Sequence, residues 1–391
     1  MKIALFTETY LPVVNGVVTH VKILKEGLES LGHNVIIVTA DSRFKRHKVI
    51  GNVIYCPAII KVKKIYNYGL ASPFSPKRLQ ILKKINPDII HIHNEFGIGI
   101  SGILIAHLLK IPVVYTLHTM YDDYIYYIAN KRFCKIISRF SHSYLRKFTR
   151  FANAITGPSP KVEEYIKKCG IHKNVNIIAN SVELDLFSRE NADTRQVRDL
   201  RSGFGFFDDD FIFAFCGRIG KEKNISQLIE FINKTVKPKD KIKLLIIGSG
   251  PYIEQHQSEV KDFNLEDIIK FAGRIEHDAL PPYYAACDAY ITASISDTCS
   301  ISMLEAMAMN LPVLHIRDDL NHGQVIDGVN GYIFNDAEEM YVYMNKLKDM
   351  PKEQLKEFGK AVRASIINSG GESIAGSVLQ IYSSVIATFK Y

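Results

Sequence analysis

Short apolar runs alternate with amphipathic ones along most of the chain. Residues 2–7, 34–39, 88–92, 112–116 and 154–157 are short and rich in Ile and Val, as expected of buried strands. Between the first two lies 17–31, where Val21, Leu24, Leu28 and Leu31 recur at helical spacing and Gly32 supplies a stop. Strands that are apolar on both faces and joined by helices predict parallel sheets under helical cover. Residues 175–187 read as a strand entering a connector, and a polar stretch rich in Asp and Arg follows at 188–210. The alternation then restarts, with strands expected at 211–216, 243–247, 268–271, 289–293 and 312–316. The pattern predicts an α/β protein of two Rossmann-like halves, 1–182 and 183–372. Ligands of such sheets bind beyond the carboxyl ends of the strands, so candidate chemistry is sought there.

The length of 391 residues favours two cores over one. Net charge is +8 but unevenly spread: residues 1–185 carry 26 Lys and Arg against 12 Asp and Glu, a net +14, and the rest carry 23 against 29, a net −6. The first half is therefore the part expected to meet something anionic. The six cysteines show no C-x-x-C pair or metal-ligand spacing, which reads as a reducing cytosol, and Cys216 and Cys287, in apolar runs, read as buried thiols. The opening apolar run ends at Glu8, too short for a signal peptide, and the longest apolar stretch, around 98–109, is short of a membrane span.

The polar residues at the predicted strand ends form a series. Asn15-Gly16 is a turn signal just before the first helix, where a glycine permits close approach of a phosphate or sugar. H-I-H-N-E-F (91–96) puts His93 and Glu95 in alternating register at one strand end, and Y-T-L-H-T (115–119) puts His118 past the next. His91 reads as structural. A metal site from His91, His93 and His118 lacks any fixing spacing and is not expected. In the second half, G-R-I-G-K-E-K (217–223) places Arg218 and Lys223 about a glycine turn ahead of a helix. Cations there oppose the helix dipole, which favours a diphosphate ligand. I-I-G-S-G-P (246–251) and F-A-G-R-I (271–275) end further strands, the latter offering Arg274 and Ile275 as a frame for a planar base. S-I-S-D-T-C-S-I-S-M-L-E (294–305) sets Asp297 and Glu305 on either side of a strand-to-helix turn whose N–H groups suit a phosphate.

Taken in order, the Asn15-Gly16 loop, T-L-H-T, N-S-V-E-L-D-L-F (180–187), G-R-I-G-K-E-K, G-S-G-P, F-A-G-R-I and the E-x7-E-like 297–305 segment resemble the retaining glycosyltransferases of family 4 over nearly the whole chain. The likeness is greatest to bacterial enzymes that glucosylate diacylglycerol, in H-I-H-N-E-F, Y-T-L-H-T-M-Y-D-D-Y-I-Y-Y and R-D-D (317–319). The resemblance implies a GT-B fold, with two parallel-sheet domains facing a central cleft and a C-terminal helix (373–391) packed back on the first. It implies an acceptor domain followed by a donor domain, and a UDP-sugar as donor substrate. Arg218 and Lys223 would hold the diphosphate, Glu305 the ribose, and Asp297, in the first Glu position, the donor sugar. N–H groups near Ser300 and Ile301 would reach the phosphate or sugar, His118 the sugar near the reacting carbon, Arg274 and Ile275 the base. Gly16 would let the N-terminal loop close over the phosphates. No cofactor and no metal are implied. Asp297 is one methylene shorter than the usual Glu, and Ser300 and Ser181 stand where Gly is common.

For the acceptor, residues 61–84 gather Lys61, Lys63, Lys64, Lys77, Arg78, Lys83 and Lys84. Residues 131–151 set Ile136, Phe140 and Tyr144 or Leu145 at helical spacing among Arg and Lys, downstream of Tyr121, Tyr124, Tyr126 and Tyr127. A basic amphipathic helix suits an anionic membrane surface, and a core-facing helix fits the same pattern. The expected protein is cytoplasmic and peripheral on the inner face of the membrane, with a lipid acceptor near Glu95, Tyr121 and Tyr124 and no nucleic-acid partner. A polysaccharide or protein acceptor, or a non-catalytic partner subunit, are the alternatives.

Overall fold

The structure is a computed structural model that describes the chain except residues 14, 63–67, 124, 126–130, 321–322 and 391. Tyr124, Tyr126, Tyr127, Lys63 and Lys64 therefore lie outside the described residues. The chain forms two compact units: Met1–Ser181 together with Gly371–Tyr391, and Val182–Gly370.

The first unit contains β1 (Lys2–Thr7), α1 (Gly16–Ser30), β2 (Asn34–Asp41), β3 (Lys48–Ile50), β4 (Val53–Val62), β5 (Tyr68–Ala71), α2 (Pro76–Ile85), β6 (Ile89–Ile92), α3 (Gly97–Leu109), β7 (Val113–Thr116), α4 (Lys131–Thr149), β8 (Ala154–Gly157), α5 (Pro160–Lys168) and β9 (Val175–Ile177). Its sheet runs β3-β4-β2-β1-β6-β7-β8-β9, with β5 paired to β4. All pairs are parallel except β3 and β5 with β4, short edge elements that the alternation of the sequence did not signal. The second unit holds α6 (Thr194–Gly203), β10 (Phe211–Cys216), α7 (Ile225–Thr235), β11 (Ile242–Ile247), α8 (Ile253–Asp262), β12 (Ile269–Gly273), α9 (Pro281–Ala285), β13 (Ala289–Thr292), α10 (Ile301–Ala308), β14 (Val313–Ile316), β15 (Gly331–Phe334), α11 (Ala337–Lys348) and α12 (Lys352–Ser365). Its parallel sheet runs β12-β11-β10-β13-β14-β15.

Alternation along β1 shows why these strands are apolar throughout. Ala4 and Phe6 enter one core cluster while Ile3 and Leu5 enter the cluster on the other face. The second cluster also takes Ile374, Ala375, Val378, Tyr382 and Val385 of α13 (Gly371–Thr388), so the last helix covers α1 on the first unit. The approach is close: a Cβ on Gly27 would lie 2.3 Å from the carbonyl oxygen of Gly371. In α1, Val21, Leu24 and Leu28 are buried as the spacing requires. Leu31 is exposed, because the helix ends at Ser30 and Leu31 caps it.

Strand order reverses direction between β1 and β6 in the first unit and between β10 and β13 in the second. At such a switch point the two following loops leave toward opposite sides and open a crevice at the strand carboxyl ends.

Candidate active site

At the β10/β13 switch point the loop after β10 carries Gly217 to Lys223, and the loop after β13 carries Ala293 to Ser300. The two loops are tied together. Lys223 pairs with Asp297, Ser296 Oγ donates to the Glu222 carbonyl at 3.0 Å, and Asn224 Nδ2 donates to the Ala293 carbonyl at 3.3 Å. Burial would raise the Asp297 carboxyl, but the Lys223 ammonium and the Ser294 hydroxyl hold it below the ordinary carboxylate range. Arg218 Nη1 reaches the buried carboxylate of Glu222 at 3.1 Å. Behind the loops, Gly248 packs against the β10 loop at φ 141°, and a Cβ there would lie 1.9 Å from the Gly217 carbonyl oxygen. The G-S-G-P glycines thus have a packing role in seating the Arg218–Lys223 loop.

Helix α10 starts at the end of the second loop. Ser300 is its N-cap and accepts from the Met303 N–H at 3.4 Å. The expectation that the Ser300 N–H faces a phosphate meets an occupied donor: Gln324 Oε1 accepts from it at 3.2 Å, while Gln324 Nε2 donates to the Ser300 carbonyl at 3.0 Å. Ile301 opens the helix, where backbone N–H groups have no intrahelical acceptor. Glu305 lies on the second turn with its carboxylate almost fully enclosed. Oε1 is 3.1 Å from His277 Nε2, and Oε2 accepts from the Tyr284 hydroxyl at 3.0 Å. Arg274 is exposed and pairs with Glu276 at 3.1 Å, and Ile275 beside it is half-buried.

At the β1/β6 switch point the first unit collects histidines. His93 Nδ1 lies 3.0 Å from His118 Nε2, and His20, from the buried face of α1, stacks edge-on to His118 at 4.9 Å between centroids. His91 lies beside His93 at 4.1 Å between centroids, but its two nitrogens are bonded elsewhere, to the Tyr382 hydroxyl (2.7 Å) and to Thr116 Oγ1 (2.6 Å). Of the three histidines weighed from sequence and not expected to form a metal site, His91 thus has both ring nitrogens engaged. His20, His93 and His118 bring ring nitrogens within 4.8 Å of one another and are the group, among the described residues, with metal-ligand geometry. Two of the three rings already bond each other and no carboxylate belongs to the set. Burial pushes His20 down to about 4 and His91 to about 3, and pushes His93 and His118 well down as well. The rings are neutral near pH 7, each with one donor and one acceptor, a form suited to sugar hydroxyls.

Glu95 is buried beside this cluster and accepts from the hydroxyls of Tyr115 and Tyr121, while Tyr144 donates to its carbonyl. Burial raises its pKa, against the two tyrosine bonds. Gly16 is the first residue of α1, after Asn15, whose side chain accepts from the Val18 N–H at 3.0 Å. Sequence reasoning missed His20, His277, Tyr284 and Gln324. For His20 a signal existed: it lies four residues before Leu24 and eight before Leu28, a polar residue in the apolar stripe of α1. His277 and Gln324 carry no such signal, since both fall in polar segments past strands.

On α4, Phe133, Ile136 and Phe140 are 58%, 62% and 74% exposed, at spacings of three and four residues. The core-facing alternative is therefore not what these residues do. Further along the helix, Leu145 and Phe148 are buried in the core of the first unit. Beside the stripe, a cavity of about 390 Å³ is lined by Asp122, Ile125, Cys134, Lys135, Ser138, Arg139 and His142. No helix among the described residues is long and apolar enough to cross a membrane.

Residues 14–186 match the family model Glycosyltransferase Family 4, and residues 196–365 match Glycosyl transferases group 1. The chain is 30% identical to the alpha-monoglucosyldiacylglycerol synthase of Acholeplasma laidlawii over 361 residues, 90% of this chain and 89% of the relative. It is 33% identical to the enzyme of the same name from Streptococcus pneumoniae over 339 residues, 85% and 75%. Among solved structures it resembles HepE of Anabaena in complex with UDP-glucose, with a TM-score of 0.75, 18% identity, and 98% and 100% of the two chains covered. The sucrose-phosphate synthase of Thermosynechococcus elongatus gives a TM-score of 0.73 at 19% identity, covering 99% of each chain.

Proposed function

The chain belongs to glycosyltransferase family 4, with the GT-B fold and the activity of a nucleotide-sugar-dependent hexosyltransferase, and from that premise we propose that it moves glucose from UDP-glucose to diacylglycerol with retention of configuration. The observation that carries the donor half is the convergence of Arg218, Lys223, Asp297 and the start of α10 on one switch point, with Glu305 held one turn further in. Two cations and a helix N-terminus match a diphosphate, and the carboxylates match hydroxyls of the ribose and the hexose. The same cations stabilise the charge that develops on the departing UDP, so no metal is required in this reading. The bond from the anomeric carbon to the UDP oxygen breaks, and a bond from that carbon to the acceptor oxygen forms on the same face. The acceptor proton passes to the leaving phosphate oxygen.

The acceptor half rests on the two relatives named for this lipid product and on α4. Its exposed Phe133, Ile136 and Phe140, interleaved with Lys135 and Arg139, fit the surface of an anionic bilayer, and the protein would be peripheral on the cytoplasmic face. Tyr121, half-buried, is the acceptor contact in this reading; Glu95, expected from sequence as a second contact, is instead buried with both oxygens bonded to tyrosine hydroxyls and holds Tyr121 in place.

The test is transfer of labelled glucose from UDP-glucose to diacylglycerol in phosphatidylglycerol-containing vesicles, with the anomer of the product read by NMR. An α-glucolipid, unaffected by EDTA and absent in Glu305→Ala protein of unchanged circular dichroism, is the expected result. A β-product, or full activity in E305A, overturns the reading.

A further inference from the structure

Glu305 is held at both oxygens, and the two holders differ in kind. Tyr284 is a neutral donor inside the core, bonded to Oε2 at 3.0 Å. His277, in the 3-10 turn His277–Ala279 after β12, is a titratable one. Its Nε2 lies 3.1 Å from Glu305 Oε1. Its Nδ1 faces Glu183 Oε1 at 3.7 Å, in the connector ahead of α6, and Asp278 Oδ1 at 3.5 Å on its own turn. The ring stands edge-on to the fully buried Phe187 at 5.3 Å between centroids, which fixes its plane. One imidazole thus sits among three carboxylates from three parts of the unit, with an aromatic wall behind it.

We propose that His277, as an imidazolium, is a positioning residue for nucleotide binding: it aims the Glu305 carboxylate at the ribose of the donor and makes donor affinity depend on pH. This rests on the donor reading above. A carboxylate clamped at Oε1 by a cation and at Oε2 by a hydroxyl is held in one orientation, and each oxygen keeps a second lone pair with which it can accept from a hydroxyl. When His277 loses its proton, the charge-assisted bond becomes a neutral one of about half the strength, and Glu183 and Glu305 lose the cation between them. Burial by itself would lower the pKa of the ring, but the bond to Glu305, the charges of Glu305 and Glu183 and the bond to Asp278 outweigh it and hold it above the ordinary histidine value. The proton is therefore kept near pH 6.5 and lost as pH rises past the raised value.

The experiment measures UDP and 2′-deoxy-UDP binding by calorimetry from pH 6 to 9 in wild type, His277→Gln and His277→Ala. Titration of the nucleotide is common to all three proteins and cancels in their ratios. The expected result is a wild-type affinity that falls roughly tenfold across the range relative to H277Q, a loss of charge assistance of the usual size. H277Q keeps a donor to Glu305, so it should match wild type at high pH, and H277A should bind more weakly at every pH. Preference for UDP over 2′-deoxy-UDP should shrink in H277A. A merely structural histidine would lower thermal stability without altering the pH slope or the ribose preference, and that outcome overturns the proposal. Failure of wild type to bind UDP at any pH instead sinks the donor reading itself. If H277A does not fold, H277Q carries the test alone through its missing slope.

Discussion

Replacing Lys223 with Met tests the donor loop most directly. The substitution keeps the length of the apolar stem and removes the ammonium that pairs with Asp297. The two side chains are 16% and 19% exposed, so the pair lies between a surface bridge, worth about 0–1 kcal/mol, and a buried one, whose rupture costs about 3–5 kcal/mol. An intermediate cost of about 2 kcal/mol follows, which for a unit of this size lowers the melting temperature by about 4–8 °C. Asp297 is held below the usual carboxylate range, so its share of this stability is present above the unfolded carboxyl pKa and lost only as pH falls through the lower folded value. Assays near neutral pH therefore see the full penalty. Adding Asp297→Asn removes the stranded charge and should return most of the lost stability. Transfer should behave differently: removing a cation from the leaving diphosphate is worth about 10²–10³ in kcat, and the double variant should not regain it. The assay pairs thermal unfolding with kcat and KM for UDP-glucose in K223M, D297N and the double variant. Recovery of turnover together with stability in the double variant would refute the argument, because Lys223 would then serve only to neutralise Asp297.

Burial raises Glu8 from 4.5 to about 7, against the backbone bond from the Ile98 N–H at 2.5 Å, so the folded state takes up a proton there that the unfolded state does not hold. That stability is complete below about pH 4.5 and falls as pH rises through 7, and Glu8→Gln should flatten the decline and raise the melting temperature at pH 8 by the equivalent of up to about 3 kcal/mol. Charging the exposed stripe with Phe133→Glu, Ile136→Glu and Phe140→Glu should abolish flotation with anionic vesicles and leave the melting temperature within about 2 °C; retained flotation would remove α4 from the membrane reading. Gly248→Ala should destabilise the second unit by about 2 kcal/mol or more, because the methyl meets the Gly217 carbonyl at 1.9 Å, and should weaken UDP binding through the displaced Arg218 loop; unchanged unfolding would show that the loop yields freely.

Much of the fold was legible because parallel α/β sheets write their strands as continuous apolar runs. Strands expected at 211–216, 243–247 and 289–293 match β10, β11 and β13 within a residue. The strands β3, β4, β5 and β15 were not read from the sequence: β3, β5 and β15 are three or four residues long, β3 is exposed throughout, and β4, though ten residues long, is interrupted by Pro57. At the candidate site, the residues found from sequence were those on strand ends and glycine turns, where spacing alone signals a loop. Those missed were partners: His277 and Tyr284 for Glu305, Gln324 for Ser300, His20 for His118.

The sequence by itself determined that this chain folds as two parallel-sheet units and that its polar chemistry gathers at strand ends, because apolar periodicity and turn residues are local properties. Only the tertiary structure decided which strand ends matter. The order β12-β11-β10-β13-β14-β15 sets the loops after β10 and β13 beside each other, and so joins Lys223 to Asp297 across 74 positions of sequence. It also decided that both oxygens of Glu305 are clamped, that His91 belongs to Tyr382 of the last helix, and that Ser300 is already bonded. Pairing of this kind depends on strand order and side-chain direction, which no local pattern of residues encodes.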